Sequence, residues 1–346
     1  MSLEGAIAAH RFGLGARPGE IERASRDPKS WLLTQLNVDA DQPTPLDGGT
    51  FKTGGELVAD LIKYRQSQAM ARRDGTAGDP VKMFFQVQAK QFLDELAARY
   101  AHGFTTDRPF AERLVWFWSN HFVVSAINPR ATTLVCAFER EAIRPHITGR
   151  FEDMALAAMS HPAMLLYLDN AQSIGPDSLA GKFTGKGRNE NLGRELMELY
   201  TLGVDGGYTQ ADVIAMANIL TGWSLNPNGQ NNGFGYFENR HEPGDVTLRS
   251  RTYPPTFEGG VQAIKDLAND PATARHIAKK LAIHFIADDP PAESVARLEK
   301  TFKDTRGDLR ALAHTIVEDP AAWKPQPVKM RAPVEYVFPR RGASAV

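Results

Sequence analysis

A single cysteine, Cys136, stands in 346 residues, so no intramolecular disulfide can form and folding does not rest on an oxidising compartment. Neither sign of charge is in excess: 40 Lys and Arg face 41 Asp and Glu, a formal net charge of −1. That balance supplies no whole-molecule field for nucleic acid or an anionic membrane and leaves only local patches. Long apolar runs are missing too. The N-terminus, MSLEGAIAAHRFGLGARPG, has no continuous apolar segment of the length a secretory signal needs, and no later stretch approaches a membrane span. The expectation is a soluble protein, cytoplasmic by default. HExxH, paired CxxC, GxSxG, a P-loop and a GxGxxG after a strand are all lacking, so no common zinc, thiol, serine or nucleotide signature assigns a reaction.

What is present is helical periodicity. With 42% hydrophobic residues the chain can bury one large core or two smaller ones. In VKMFFQVQAKQFLDELAARY, Val81, Phe85, Phe92, Leu96 and Tyr100 share one face and Gln88, Lys90, Asp94 and Arg99 fall elsewhere, the pattern of a long packed helix. Similar patterns recur in TTLVCAFEREAIRPHI, EDMALAAMSHPAMLLYLDN and TARHIAKKLAIHFIA, while strand alternation is missing. Proline breaks at Pro18-Gly19, Asp79-Pro80, Asn128-Pro129 and Asp270-Pro271 each end or start a helix. Two stretches, residues 171–188 and 224–256, are long and rich in glycine, asparagine or proline, and loops of that length are functional or disordered. The fold class expected is mostly α, a multi-helix array with two long irregular loops and little or no sheet. It forms one domain over 1–346, divisible into N-terminal helices (1–128), central helices (129–337) and an atypical tail (338–346).

The most polar helix is NENLGRELMELYTLG, residues 189–203. At about 100 degrees per residue, Glu190, Asn191, Arg194, Glu195 and Glu198 share one sector and Leu192, Leu196, Met197 and Leu199 the other. Its structural account is complete in itself: Asn189 as N-cap, a Glu190–Arg194–Glu198 ladder at i, i+4, and Gly203 as the stop. A functional account draws on its flanks. The preceding helix starts with His161 before Pro162 and closes on Asp169-Asn170, so carboxylates and amides stand at both ends of the first long loop. After the polar helix, Thr209 and Asp212 form a capping box and Trp223 leads into the second loop, which carries His241 and Glu242. In ERLVWFWSNHFVVS the helix is apolar nearly all round, and His121 falls on its apolar side with Asn120 on a narrow polar one. A histidine there is either a core residue bonded to a backbone carbonyl or a metal ligand or base facing the Glu190 helix.

These segments carry a resemblance. WFWSNHFVVS, HPAMLLYLDNAQSIGP, NENLGRELMELYTLGVDGGYTQADV with LTGW, and RHEPG, in this order, resemble the bacterial family called domain of unknown function 1800. The likeness runs from AAHRFGLGARPGEIE to APVEYV. It implies a mostly helical fold, members that often look exported, and a frequent gene neighbour of the family called domain of unknown function 1501, itself similar to sulfatases and alkaline phosphatases. It implies no reaction. Two departures stand out: Tyr200 replaces the histidine usual in MELYTLG, which argues against an essential metal ligand there, and FPRRGASAV ends the chain where further helices normally follow.

Three functions remain open. One is a hydrolase-like enzyme in which Glu190, Glu198, Asp169 and His121 act as acid, base or nucleophile, with His161, Glu190 and His241 as candidate ligands of a divalent metal. Another is a non-catalytic binding module for the phosphatase- or sulfatase-like partner, through the two long loops. The last is a buried polar network that fixes helix packing and takes no ligand.

Overall fold

The computed structural model describes residues 1–37, 51–74, 79–128, 131–326 and 329–330, with the side chains of 79–86 outside the description. The faces expected for Val81 and Phe85, the break at Pro129 and the 338–346 tail therefore lie outside the described residues. The chain is 65% helical, and its described sheet is two small antiparallel hairpins. Both hairpins sit in the second long loop: β1 (Trp223–Leu225) pairs with β2 (Phe234–Tyr236), and β3 (Val246–Leu248) with β4 (Arg251–Tyr253).

Local signals place the helices as the sequence implies. Pro162 opens the helix Pro162–Tyr167, Asp270 caps Pro271–Phe285 through the Ala272 N–H, and Thr209 and Asp212 form the capping box of Gln210–Ile219. The helix Pro109–His121 is buried on most sides, with Trp118 at 1% exposure and Asn120 left in solvent. One cluster of buried side chains runs from Ile7 to Ala322 and draws on both halves of the chain. At its C-terminal end Pro271–Phe285 packs on Ala292–Thr305, and that on Leu309–Glu318. Each Leu or Phe fully buried in this cluster contributes roughly 1.5–3 kcal/mol, which is why the apolar stripes decide the packing.

Two helices depart from their expected faces. In Asp79–Thr105, Gln88 and Glu95 are buried while Leu93 is 60% exposed. The reason is a buried ionic seam. Arg140 reaches Glu95 at 3.1 Å, Arg99 reaches Glu139 at 2.7 Å, and Arg144 bridges Glu139 (2.7 Å) and Glu112 (2.6 Å). Charges balance along it, and the Trp116 indole N–H and the Ser119 hydroxyl donate to remaining carboxylate oxygens. Cys136 lies beside this seam, where burial, Glu95 and Glu139 push its thiol up to about 12, so it is no nucleophile at neutral pH.

The polar helix is also not one α-helix. It is α-helical over Asn191–Glu195 and a π-turn over Leu196–Tyr200, with Gly203 at φ 84° closing it. The N-cap position falls on Glu190, not Asn189, although the Asn189 side chain accepts the Asn191 N–H at 2.9 Å. A π-turn adds a residue per turn and rotates the side chains beyond it. Arg194 accordingly keeps Glu190 as its ion-pair partner, at 3.1 Å, and makes none with Glu198 among the described residues, so the three-residue ladder is cut to a pair.

Candidate functional site

The six residues proposed from the sequence do not meet. Glu190 is one-third exposed and bonds Arg194 and the Gln210 amide (2.9 Å). Glu198 lies half-buried by Tyr208, and burial together with the Glu198 charge raises the pKa of Glu195. His121 is buried between helices: its Nε2 donates to the Tyr200 carbonyl (3.0 Å), which leaves Nδ1 to accept from Lys280 (2.8 Å). Burial first, then Lys280, hold His121 well below the usual histidine range, and burial lowers Lys280 to about 8. This is a core histidine on a backbone carbonyl, with a lysine at its other nitrogen. Asp169 adopts φ 59° at the start of a 3₁₀ turn, and Asn170 is buried with its amide on the Leu220 and Trp223 carbonyls (both 3.1 Å). His241 donates from Nδ1 to the Thr221 carbonyl (2.8 Å). Among the described residues no group of three His, Cys, Asp or Glu is arranged to hold a metal ion, so His161, Glu190 and His241 do not form a ligand set.

The motif-bearing loops do converge, as scaffold. The Ala171 carbonyl accepts from Ser224 and Arg240, and the Gly175 N–H donates to the Arg240 carbonyl. Glu242 accepts the Asp177 N–H and donates its own N–H to the Thr221 hydroxyl. The two long loops are thus tied together by hydrogen bonds to backbone groups, which fixes the hairpin β1–β2 against the helix Pro162–Tyr167.

That hairpin and His161 frame a cavity of about 330 Å³, within the range of small-molecule sites. His161 Nδ1 accepts the Ala163 N–H (3.1 Å), so the ring proton sits on Nε2, which points at Glu141 Oε2 at 3.3 Å. Glu141 Oε1 accepts the Gly54 N–H at 2.8 Å, one of the free donors at the start of the helix Gly54–Arg73. The carboxylate is thereby aimed from both sides. Gly54 is required by this approach: a Cβ there would lie 2.8 Å from Glu141 Oε2 and 3.1 Å from His161 Nε2. His146 lines the same cavity, its ring makes no hydrogen bond among the described residues, and it is pushed below the usual histidine range by burial, partly offset by Asp153. Asn231 and Asn232 also line the cavity, both left-handed at φ 50° and 52°, a conformation that costs about 1 kcal/mol and that asparagine tolerates best after glycine.

Glu141 and His146 escape a sequence reading for a specific reason. Residues 135–146 look like one amphipathic helix, but they run as α (Val135–Phe138), π (Glu139–Ile143) and 3₁₀ (Arg144–His146). Pro145 has no N–H to offer the Glu141 carbonyl and forces the change. The π-turn lets Glu139 and Arg144, five residues apart, pair inward, whereas an α-helix would place them about 140 degrees apart. Glu141 is then directed to the cavity. The available signal was charge: FEREAIR carries too many ions for a helix that the apolar pattern buries.

No curated protein and no solved structure matches the chain. The helical fold, the interlocked motif loops and the order of the motifs agree with one family, described as Protein of unknown function (DUF1800), whose match spans residues 7–340, and the chain belongs to that family.

Proposed function

We propose that the cavity at Glu141 and His146 is the active site of a hydrolase-like enzyme that works by acid/base catalysis on a small substrate. The observation that carries this reading is the oriented carboxylate: Glu141, held by the Gly54 N–H and the His161 ring, lines a cavity that is also lined by a histidine whose ring has no hydrogen-bond partner among the described residues. Burial keeps His146 neutral near pH 7, so it accepts the proton of an attacking water, and the leaving group takes a proton back from the protonated ring. Glu141 orders the water, and Asp153 is the charge that favours the imidazolium. Asn231 and Asn232 line the cavity, and a side-chain amide from either is the donor proposed for a developing oxyanion. No resident cation enters this scheme.

The test is hydrolysis of a panel of p-nitrophenyl esters and phosphoesters by the full chain. Glu141→Gln and His146→Ala should each lower the rate on the responsive substrate by about 10²-fold or more with an unchanged melting temperature. Glu190→Gln should leave it unaltered. A panel without turnover, or turnover indifferent to Glu141→Gln and His146→Ala, overturns the assignment.

A second reading, the binding module, is favoured by the short helix Leu179–Thr184 of the first long loop, where Leu179 and Phe183 are 78% and 91% exposed. A phosphatase-like partner would cover them. Co-purification with such a partner should be lost in Phe183→Asp and kept in Glu141→Gln.

A further inference from the structure

A second cavity, of about 640 Å³, is lined by other residues of the same hairpin and has a different chemistry. Its walls are Ile62 and Arg65 of the helix Gly54–Arg73, Leu166 of the helix Pro162–Tyr167, and Ser224 and Leu225 of β1. Two arginines, Arg65 and Arg240, line it, and no Asp or Glu among the described residues does. Arg240 is anchored without a counter-ion: one Nη donates to the Ala171 carbonyl at 3.0 Å, the other reaches Ser224 Oγ at 3.3 Å, and the Phe237 ring lies 5.7 Å from its guanidinium carbon. Its Nε is buried with no hydrogen-bond partner, and among the described residues it makes no ion pair. Burial with nothing to offset it draws the Arg240 pKa down, yet a guanidinium stays charged at any physiological pH.

A half-buried cation fixed by one backbone carbonyl and one hydroxyl, with no carboxylate bound to it among the described residues, is stabilised by an arriving anion. The remaining wall sets the rest of the ligand. Leu166, Leu225 and Phe237 are apolar, and Gln172 offers one amide. Bare inorganic anions would leave those apolar faces wet, whereas a molecule with an apolar body covers them. We infer that this cavity binds a small molecule carrying an oxyanion, a carboxylate or phosphate, on an apolar or aromatic body, with Arg240 as its anchor and the exposed Arg65 at its mouth. The inference is independent of the acid/base reading of the first cavity.

Isothermal titration of the full chain with phenyl phosphate, benzoate, inorganic phosphate and phenol tests it. Phenyl phosphate or benzoate should bind more tightly than inorganic phosphate, and phenol, which keeps the body but lacks the charge, should not bind measurably. The stronger of the two aromatic anions identifies the oxyanion. Arg240→Gln should weaken binding at least tenfold, Arg240→Lys by less because charge is kept and the planar fork lost, and Arg65→Gln severalfold. Glu141→Gln should bind as the parent does, which separates failure here from failure of the hydrolase reading. Should Arg240→Gln not fold, Arg240→Lys and the exposed Arg65→Gln decide. Absence of anion binding, equal binding of phenol, or parental affinity in the folded arginine variants overturns the inference.

Discussion

Gly54 has no side chain, and the first cavity depends on that. In Gly54→Ala the new methyl would press hardest on Glu141 Oε2, the end of a side chain that can swing away, and less closely on His161 Nε2 and the Asn232 backbone carbonyl at 3.2 Å. The carboxylate should therefore leave its place at modest thermodynamic cost. Hydrolysis should fall as far as in Glu141→Gln while urea unfolding changes by no more than about 1 kcal/mol. Full activity in Gly54→Ala would mean that the carboxylate's position is immaterial. Glu190 stands at the opposite pole: an exposed i, i+4 pair of this kind contributes about 0.3–0.5 kcal/mol, so Glu190→Gln should be nearly silent in denaturant melts. At this scale the sequence conveys caps and stops, such as Thr209, Pro162 and Gly203, because they act within four residues. It does not convey the neighbours of Glu141, which lie 20 and 87 residues away.

Among the elements, the π-turns carry most of the information that periodicity could not show. Three occur among the described residues, at Ala8–Phe12, Glu139–Ile143 and Leu196–Tyr200. A wheel drawn at 100 degrees per residue fails beyond each of them, which is why Glu198 drops out of its ladder and Glu139 turns inward. The helix Asp79–Thr105 misleads for another reason: its buried face is ionic, and apolar spacing carries no information about Glu95 or Arg99. That seam makes its own prediction. Arg144→Met leaves Glu112 and Glu139 buried without their shared cation and should cost about 3–5 kcal/mol, seen as a lower urea midpoint. Replacing Arg144 together with both glutamates by apolar residues should recover much of the loss, and an Arg144→Met protein as stable as the parent would show the seam to be hydrated.

For the molecule as a whole, the helical class and the family were legible because both rest on patterns spread over nearly the entire chain. The cavities were not, since each is assembled from segments distant in sequence. A global property arises from the histidines. His121 and His284 are held well below 6.5 chiefly by burial, and His146, His241 and His276 are lowered in the same direction. The unfolded chain takes up protons below about pH 6.5 that the folded one refuses, so stability is full above that value and is lost as pH falls toward the folded values. Each histidine contributes a limiting slope of about 1.4 kcal/mol per pH unit, and urea midpoints should drop steadily from pH 7 to 5.5. His121→Gln should flatten the dependence, and a pH-independent midpoint in the parent would contradict the buried neutral state. Among the described residues no helix is long and apolar enough to cross a membrane.

The two cavities are not separate rooms. The hairpin β1–β2 gives Asn231, Asn232 and Phe234 to one and Ser224 and Leu225 to the other, and the helix Pro162–Tyr167 contributes Pro162 to the first and Leu166 to the second. By thermodynamic reciprocity, if an anion at Arg240 changes affinity at Glu141 by some factor, a ligand at Glu141 changes the anion's affinity by that same factor, and no hinge or second subunit is needed for it.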